Sequence, residues 1–334
     1  FGTVEFLAVE TITLGIFNLW LGMNNFSAAS QLSILAFTFI VVLLGIELSA
    51  RKNQKFNDPR VSSFENKFDE INLKQNIILL SICLIPIIFG FIIPVLILIN
   101  LSLQSLNQDN FSTFLEISIN SISISFFGAF LIILFSFIIV VAVKYHGGKK
   151  FAFLSTLAGS GYAFPGVILA LGTTFFLSLV QDSINTFFIT FDVNWNLTII
   201  GTFTALLYTY ICRFNAIGIG YINSGIQRIS PNLLEAGRLQ GVSFEKSLFK
   251  IIFPLIRPSI LTGFLIIFVD IIKELPVTLL LRPFNFETLA TYVYQYAKEE
   301  MLEQCALAAL LIIIIGVIPV IVINKTINLS YKKQ

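Results

Sequence analysis

The sequence predicts an all-α integral membrane protein, and three observations carry that prediction. Of its 334 residues, 56% are apolar and only 12% are charged, about half the charged share of a soluble domain. The apolar residues gather into long unbroken runs, and the basic residues cluster in segments that alternate with those runs. A soluble fold would leave too much of this apolar surface without cover. The composition also excludes a disordered chain, a disulfide scaffold, a nucleic-acid binder and an ordinary cytosolic enzyme.

A transmembrane helix needs about 20 mostly apolar residues. About seven stretches qualify: 31–48, 77–99, 121–143, 157–180, 196–212, 258–280 and 305–324. Residues 151–156 extend the fourth span or lie in the interface. The runs lack the alternation of barrel strands, and helices satisfy their own backbone in lipid.

The basic residues set the topology. Residues 49–75 hold Arg51, Lys52, Lys55, Arg60, Lys67 and Lys74, and the turn at 144–156 holds Lys144, Lys149 and Lys150. The loop at 213–257 holds Arg213, Arg228, Arg238, Lys246, Lys250 and Arg257, and the tail holds Lys325, Lys332 and Lys333. Seven spans place these four segments, with 18 of the 21 lysines and arginines, on one side. Arg282 and Lys298 fall on the other, and Lys273 lies inside a span. By the positive-inside rule the first side is cytoplasmic, which puts the N-terminus outside and the C-terminus inside.

Cys83, Cys212 and Cys305 are odd in number, far apart and outside any CxxC or Cys/His cluster, so each reads as a small core residue rather than a disulfide partner or metal ligand. The chain begins at Phe1, and its first 31 residues have no basic n-region, unlike a signal peptide. The expectation is that it starts partway through a longer protein.

An internal repeat points the same way. Residues 11–48 run from a semi-polar aromatic stretch (TITLGIFNLW) through a small-residue patch (FSAAS) into a span that ends before Arg51. Residues 286–324 repeat that order at an offset of about 277, with FETLATYVYQY, CALAA and a span ending before Lys325. Duplicated bundles are common in transporters, although an external approach to any last span has similar features. The expected organisation is an external segment and last helix of a first half at 1–48, and a cytoplasmic linker at 49–75. A six-helix second half at 76–325 and a cytoplasmic tail at 326–334 complete it.

The loop at 213–257 is patterned. Ser230 and Pro231 form a helix start, NLLEAGRLQ continues it, and Gly241 stops it. Ser243 caps a second helix with Glu245 in its first turn, and Pro254 ends or kinks it. Leu234, Gly237, Arg238 and Gly241 share one helical face, where small residues admit a close neighbour.

These residues carry a resemblance. Glu235-Ala236-Gly237, three residues, Gly241, nine residues and Ile251-Ile252-Phe253-Pro254 resemble the EAA loop of bacterial ABC-importer permeases (EAA-xxx-G, nine residues, I-x-L-P). Gly237 replaces the second alanine and lowers helix propensity by about 1 kcal/mol, and Phe253 replaces leucine. The run Gly161–Ala170 is similar to the proline-glycine span entry of the same family. Lys273-Glu274-Leu275-Pro276 through Pro283-Phe284, followed by Phe286-Glu287-Thr288-Leu289-Ala290, resembles the KELPATLLLRPF…TLA segment of ferric-iron importer permeases.

The resemblance implies six helices in one permease bundle and a protein of the bacterial inner membrane. It gives Leu234, Glu235, Ala236, Gly237, Gly241 and Pro254 an ATPase-coupling role. It implies as partners an ABC ATPase subunit in two copies, an extracytoplasmic substrate-binding protein near residues 280–304, an upstream permease half or second permease subunit, and membrane lipid. Transport would proceed by alternating access. The same architecture with thiamine, a polyamine or an oxyanion as cargo stays open, as does an ion-driven secondary transporter.

Asp270, Lys273 and Glu274 lie in the sixth span at spacings that can place them on one face. Intramembrane ionisable groups normally face a bundle interior or a water-filled cavity. They read either as a cation pathway or gate, or as a self-satisfied cluster that pins packing. Tyr292, Tyr294 and Tyr296 sit at alternate positions, which on a helix do not converge on one ion, so an aromatic belt explains them better. His146 reads as solvated, and Glu299, Glu300 and Glu303 as a solvated external edge or a contact for a binding protein. No GxxxxGK[ST] phosphate loop or nucleophile–base set occurs. The chain is expected to catalyse nothing and bind no cofactor, with ATP hydrolysed on a partner.

Overall fold

Apolar runs that must satisfy their own backbone in lipid become helices, and every regular element among the described residues is helical. The computed structural model describes residues 2–52, 73–104, 108–191, 196–230 and 242–331, together with Leu233 and Leu239. In chain order the helices are α1 (Gly2–Phe6), α2 (Ile12–Phe17), α3 (Phe26–Lys52), α4 (Leu73–Ile87), α5 (Ile93–Gln104), α6 (Gln108–Val141) and α7 (Lys149–Ala158). They continue as α8 (Gly166–Thr190), α9 (Phe203–Gln227), α10 (Phe244–Ser247), α11 (Phe253–Ile272), α12 (Pro276–Leu281), α13 (Leu289–Lys298) and α14 (Leu302–Tyr331).

Among the described residues six helices are long and apolar enough to cross a membrane: Phe26–Glu47, Ile77–Gln104, Phe111–Tyr145, Gly166–Thr190, Phe244–Ile272 and Leu302–Ile321. They overlap six of the seven expected spans. The expectation at 196–212 is displaced, because α9 begins only after the extended Thr202 and continues to Gln227. Its second half alternates Ile217, Ile219 and Ile222 with Asn215, Asn223 and glycines, so helix persists beyond the purely apolar run. Arg213 therefore lies in the middle of α9, not at the start of a cytoplasmic loop. The fourth expected span also shifts: a break at 159–165 precedes α8.

The core is built by α6, α9 and α11, which pack on one another through Ile132, Leu206, Phe214, Ile222, Ile256 and Ile267. Lipid supplies no hydrophobic drive between helices, so small residues that allow close approach matter more. Gly263 of α11 is such a site: a Cβ there would stand 3.0 Å from Tyr221 Cβ and 3.2 Å from Ile133 Cδ1. Ser136 of α6 donates to the Asn215 side chain of α9 at 2.6 Å, fixing the register of that pair. Helices α4 and α5 stand largely outside this core, and α5 packs on α14. Cys83 of α4 is accordingly exposed rather than core, while Cys212 is half-buried and Cys305 buried. In lipid an outward apolar side chain carries no hydration cost, so apolarity alone does not mark the core.

The sequence repeat has structural counterparts. Thr11 caps α2 by accepting from Leu14 N, and Thr288, 277 positions later, caps α13 by accepting from Thr291 N. Ala8 and Asn285 both take positive φ (55° and 60°), as do Asn24 and Glu300 (49° and 61°) at the turns into α3 and α14. The same short helix, left-handed turn and long helix thus occur twice. The first copy packs on α8 through Phe17, Ala29 and Ile168.

Pro254 sits in the first turn of α11, directly after a π turn at Leu248–Ile252. A proline inside a helix removes one donor and crowds the preceding turn, and the wider π turn relieves that crowding. The helix continues through it, so Phe244–Ile272 is one 29-residue rod. Pro254 therefore does not end it.

Candidate functional site

The site grows from a helix break. α11 stops at Ile272, with Lys273 at its C-cap, and Pro276 opens the short helix α12. Proline disfavours the helical conformation in the residue before it and is suited to a first helical position, so KELP punctuates the rod. Glu274 sits in this gap and is 7% exposed. Its Oε1 accepts from Val277 N at 3.3 Å, and its carbonyl accepts from Thr278 Oγ1 at 2.7 Å.

Helix α9 meets the gap with two side chains one turn apart. The Tyr210 hydroxyl is 2.6 Å from Thr278 Oγ1. Arg213 Nε lies 3.2 Å from Glu274 Oε2, a charge pair without hydrogen-bond alignment, and Nη1 donates to the Phe164 carbonyl at 3.3 Å. One guanidinium thus joins α9 to two helix breaks, the turn before α8 and the gap after α11.

Two glycines make room for it. A Cβ on Gly166 would stand 2.7 Å from Arg213 Nη1 and 2.9 Å from Glu274 Oε1. One on Gly161 would overlap the Cys212 carbonyl. The proline-glycine stretch therefore packs directly on the α9 backbone beside the arginine.

A cavity of about 1100 Å³ adjoins this hub, lined by Arg213, Lys273, Pro276, Tyr294, Lys298 and Glu5 among others. Its cations are partnered. Lys273 pairs with Asp270 at 2.7 Å and Lys298 with Glu5 at 3.1 Å. Tyr294 donates to the other Glu5 oxygen at 2.7 Å, so the N-terminal segment is held over the cavity by a two-point clasp. On the following loop Arg282 pairs with Glu287 and donates to the Phe286 carbonyl, bracing the approach to α13.

The expected trio is split. Asp270 and Lys273 pair with each other, while Glu274, beyond the helix end, turns to Arg213. The three do not share one helical face because the helix ends between them. Leu234, Glu235, Ala236, Gly237 and Gly241 lie outside the described residues, and Pro254 is placed as above. Sequence reasoning missed Arg213; the signal was the Ile217–Ile226 periodicity, which carries the helix past it. It also missed Glu5, which has no local pattern to mark it.

The tyrosines do not converge. The rings of Tyr292 and Tyr296 are 4.5 Å apart, while Tyr294 turns to Glu5. Burial, then Tyr296, pushes the Tyr292 phenol up to about 12. Burial and the Glu5 carboxylate raise Tyr294 as well. Both shifts disfavour a metal-binding phenolate. Among the described residues no group of three His, Cys, Asp or Glu is placed to hold a metal ion. Glu300 lines the cavity rim, and Glu303 stands in the first turn of α14.

Known proteins share this architecture. The chain is 23% identical over 336 residues to the Fe(3+)-transport system permease protein FbpB 2 of Haemophilus influenzae, which covers 97% of this chain. It spans 62% of that relative's length. It is 26% identical over 166 residues to the ferric transport system permease protein FbpB of Actinobacillus pleuropneumoniae, covering 49% of this chain and 23% of that one. The fold matches a chain of a bacterial alginate ABC transporter, solved with a periplasmic protein bound to an alginate pentasaccharide, at a TM-score of 0.57 and 17% identity. That match covers 74% of this chain and 93% of the other. The family described as binding-protein-dependent transport system inner membrane component matches residues 136–333, more than half of the chain. The protein belongs to that family, as a multi-pass inner-membrane permease of the ABC-importer class.

Proposed function

We propose that this permease imports ferric iron by alternating access, driven by ATP hydrolysis on a partner subunit. The observation that carries the reading is where the segment resembling ferric-iron permeases lies. Lys273, Leu275, Pro276 and Ala290 of that segment line the cavity, and its Arg282–Glu287 pair braces the loop leading to α13. The ferric permeases found among its relatives support the same cargo.

The coupling route follows from one element. The rod Phe244–Ile272 starts just after the loop at Glu235–Gly241 and ends at the Glu274 break, about 43 Å away at 1.5 Å per residue. A rigid helix carries a displacement at one end to the other, so a push by an ATPase subunit on the loop would shift the floor of the cavity. The distribution of basic residues supports a loop inside, an N-terminus outside and a C-terminus inside. An external binding protein would deliver cargo near residues 280–304, and the repeat at 11–48 supports a first permease half as the partner of the second.

A second reading, oxyanion import, is favoured by one observation: Arg213, Lys273 and Lys298 all line the cavity. The deciding experiment is uptake of radiolabelled ferric iron by cells carrying the complete transporter, with thiamine, spermidine and phosphate as competitors. Iron uptake that the competitors leave unchanged is expected. Phosphate uptake without iron uptake would reverse the choice. Cysteine labelling at Ser27 and Thr326 from each side of the membrane tests the orientation.

A further inference from the structure

A second concavity shares no lining residue with the cavity of the proposed pathway. It is a groove of about 770 Å³ between α6 and α11, lined by Ile133, Leu134, Arg257, Leu261, Phe264 and Leu265 among others. Two edge-to-face aromatic pairs bound it, Phe137–Phe253 at one end and Phe126–Phe264 at the other. Phe253 and Phe264 are eleven residues apart, about 16 Å along a helix. One leaflet of a bilayer's hydrocarbon core is about 15 Å deep. The groove therefore has the length of one acyl chain in one leaflet.

Its chemistry is equally specific. Among the described residues Arg257 is the one charged side chain in the lining. Thr262 donates to the Pro258 carbonyl at 2.8 Å, so its hydroxyl is already satisfied. Arg257 is exposed, stacks over the Phe253 ring at 5.6 Å, and has no carboxylate within ion-pair distance among the described residues. Along α11, Phe253, Arg257, Leu261 and Phe264 recur at intervals of three or four, which makes one stripe. Arg257 is the one cation of that stripe, and the stripe is apolar beyond it. A cation four residues in from the Phe253 end of an apolar slot of leaflet depth complements one molecule, a lipid with an anionic head.

We propose that the α6–α11 groove is a binding site for an anionic phospholipid, with one acyl chain along the groove and the headgroup phosphate on Arg257. Lys250, two turns further along the rod, adds to the positive field at the headgroup. Because α11 is the rod that ends at Glu274, a lipid seated there would brace the element that moves.

Native mass spectrometry of the full chain tests this, released from micelles holding equal amounts of phosphatidylglycerol and phosphatidylcholine. A single retained phosphatidylglycerol is expected to exceed phosphatidylcholine by about fivefold, the worth of one cation at an anionic lipid surface. Arg257→Gln should bring the ratio near one while lipid is still retained, and Leu261→Trp, which fills the slot, should remove both adducts. Equal retention in the unaltered chain overturns the proposal without any variant. A preference that survives Arg257→Gln overturns it too. So does loss of the preference on adding inorganic phosphate alone, which would assign Arg257 to small free anions.

Discussion

Arg213, in the middle of α9, lies 3.2 Å from Glu274, in the gap between α11 and α12, and the pair is 17% and 7% exposed. Removing one member of a buried pair leaves the other charge uncompensated, at a cost of about 3–5 kcal/mol. Glu274→Gln is therefore expected to lower thermal stability in detergent and to abolish most uptake. The double variant Arg213→Met with Glu274→Leu removes both charges and should recover most of the stability. If uptake returns with stability, the pair is only a packing device; if uptake stays lost, the charges belong to the pathway.

Gly166 should tolerate no side chain. Gly166→Ala brings a methyl within 3 Å of both charged groups, and overpacking of this kind costs about 1–3 kcal/mol. Gly172, on the same helix, has nothing within 4 Å of its would-be Cβ. Gly172→Ala is the matched control, expected to be neutral or slightly stabilising. Equal melting temperatures for the two variants would contradict the close approach of α8 to Arg213.

The clasp on the N-terminal segment has unequal arms. Lys298 is 57% exposed, and exposed pairs contribute about 0–1 kcal/mol, so Lys298→Met should change little. Tyr294 sits deeper, and its phenol is raised above its ordinary value of 10.0 by burial and then by Glu5. With the folded value above the unfolded one, the unfolded chain ionises first as pH rises. The contribution is full below about pH 10 and is lost as pH climbs through the folded value. Tyr294→Phe should flatten the alkaline fall in melting temperature; an unchanged alkaline limb would remove Tyr294 as its cause.

Coupling is tested at Gly241. In the assembled transporter Gly241→Asp is expected to leave ATP hydrolysis running while uptake falls at least about tenfold, since a carboxylate would be desolvated in the docking contact. Coupled transport at the unaltered rate would count heavily against that loop as the ATPase contact.

Composition, run length and charge distribution were enough to establish helices, their approximate number and the membrane class, because lipid forces every spanning backbone to satisfy itself. The repeat was legible for the same local reason, whereas the break before Pro276 falls inside the expected span 258–280 and was not read there. The tertiary structure decided what periodicity cannot: that α9 carries Arg213 into the core, and that Glu274 leaves Asp270 and Lys273 to meet it. It also placed Glu5 over the cavity, 293 residues from the lysine it pairs with. Sequence patterns record which side chains share one helix, whereas an ion pair between helices depends on where their backbones cross, and here Gly161 and Gly166 set that crossing.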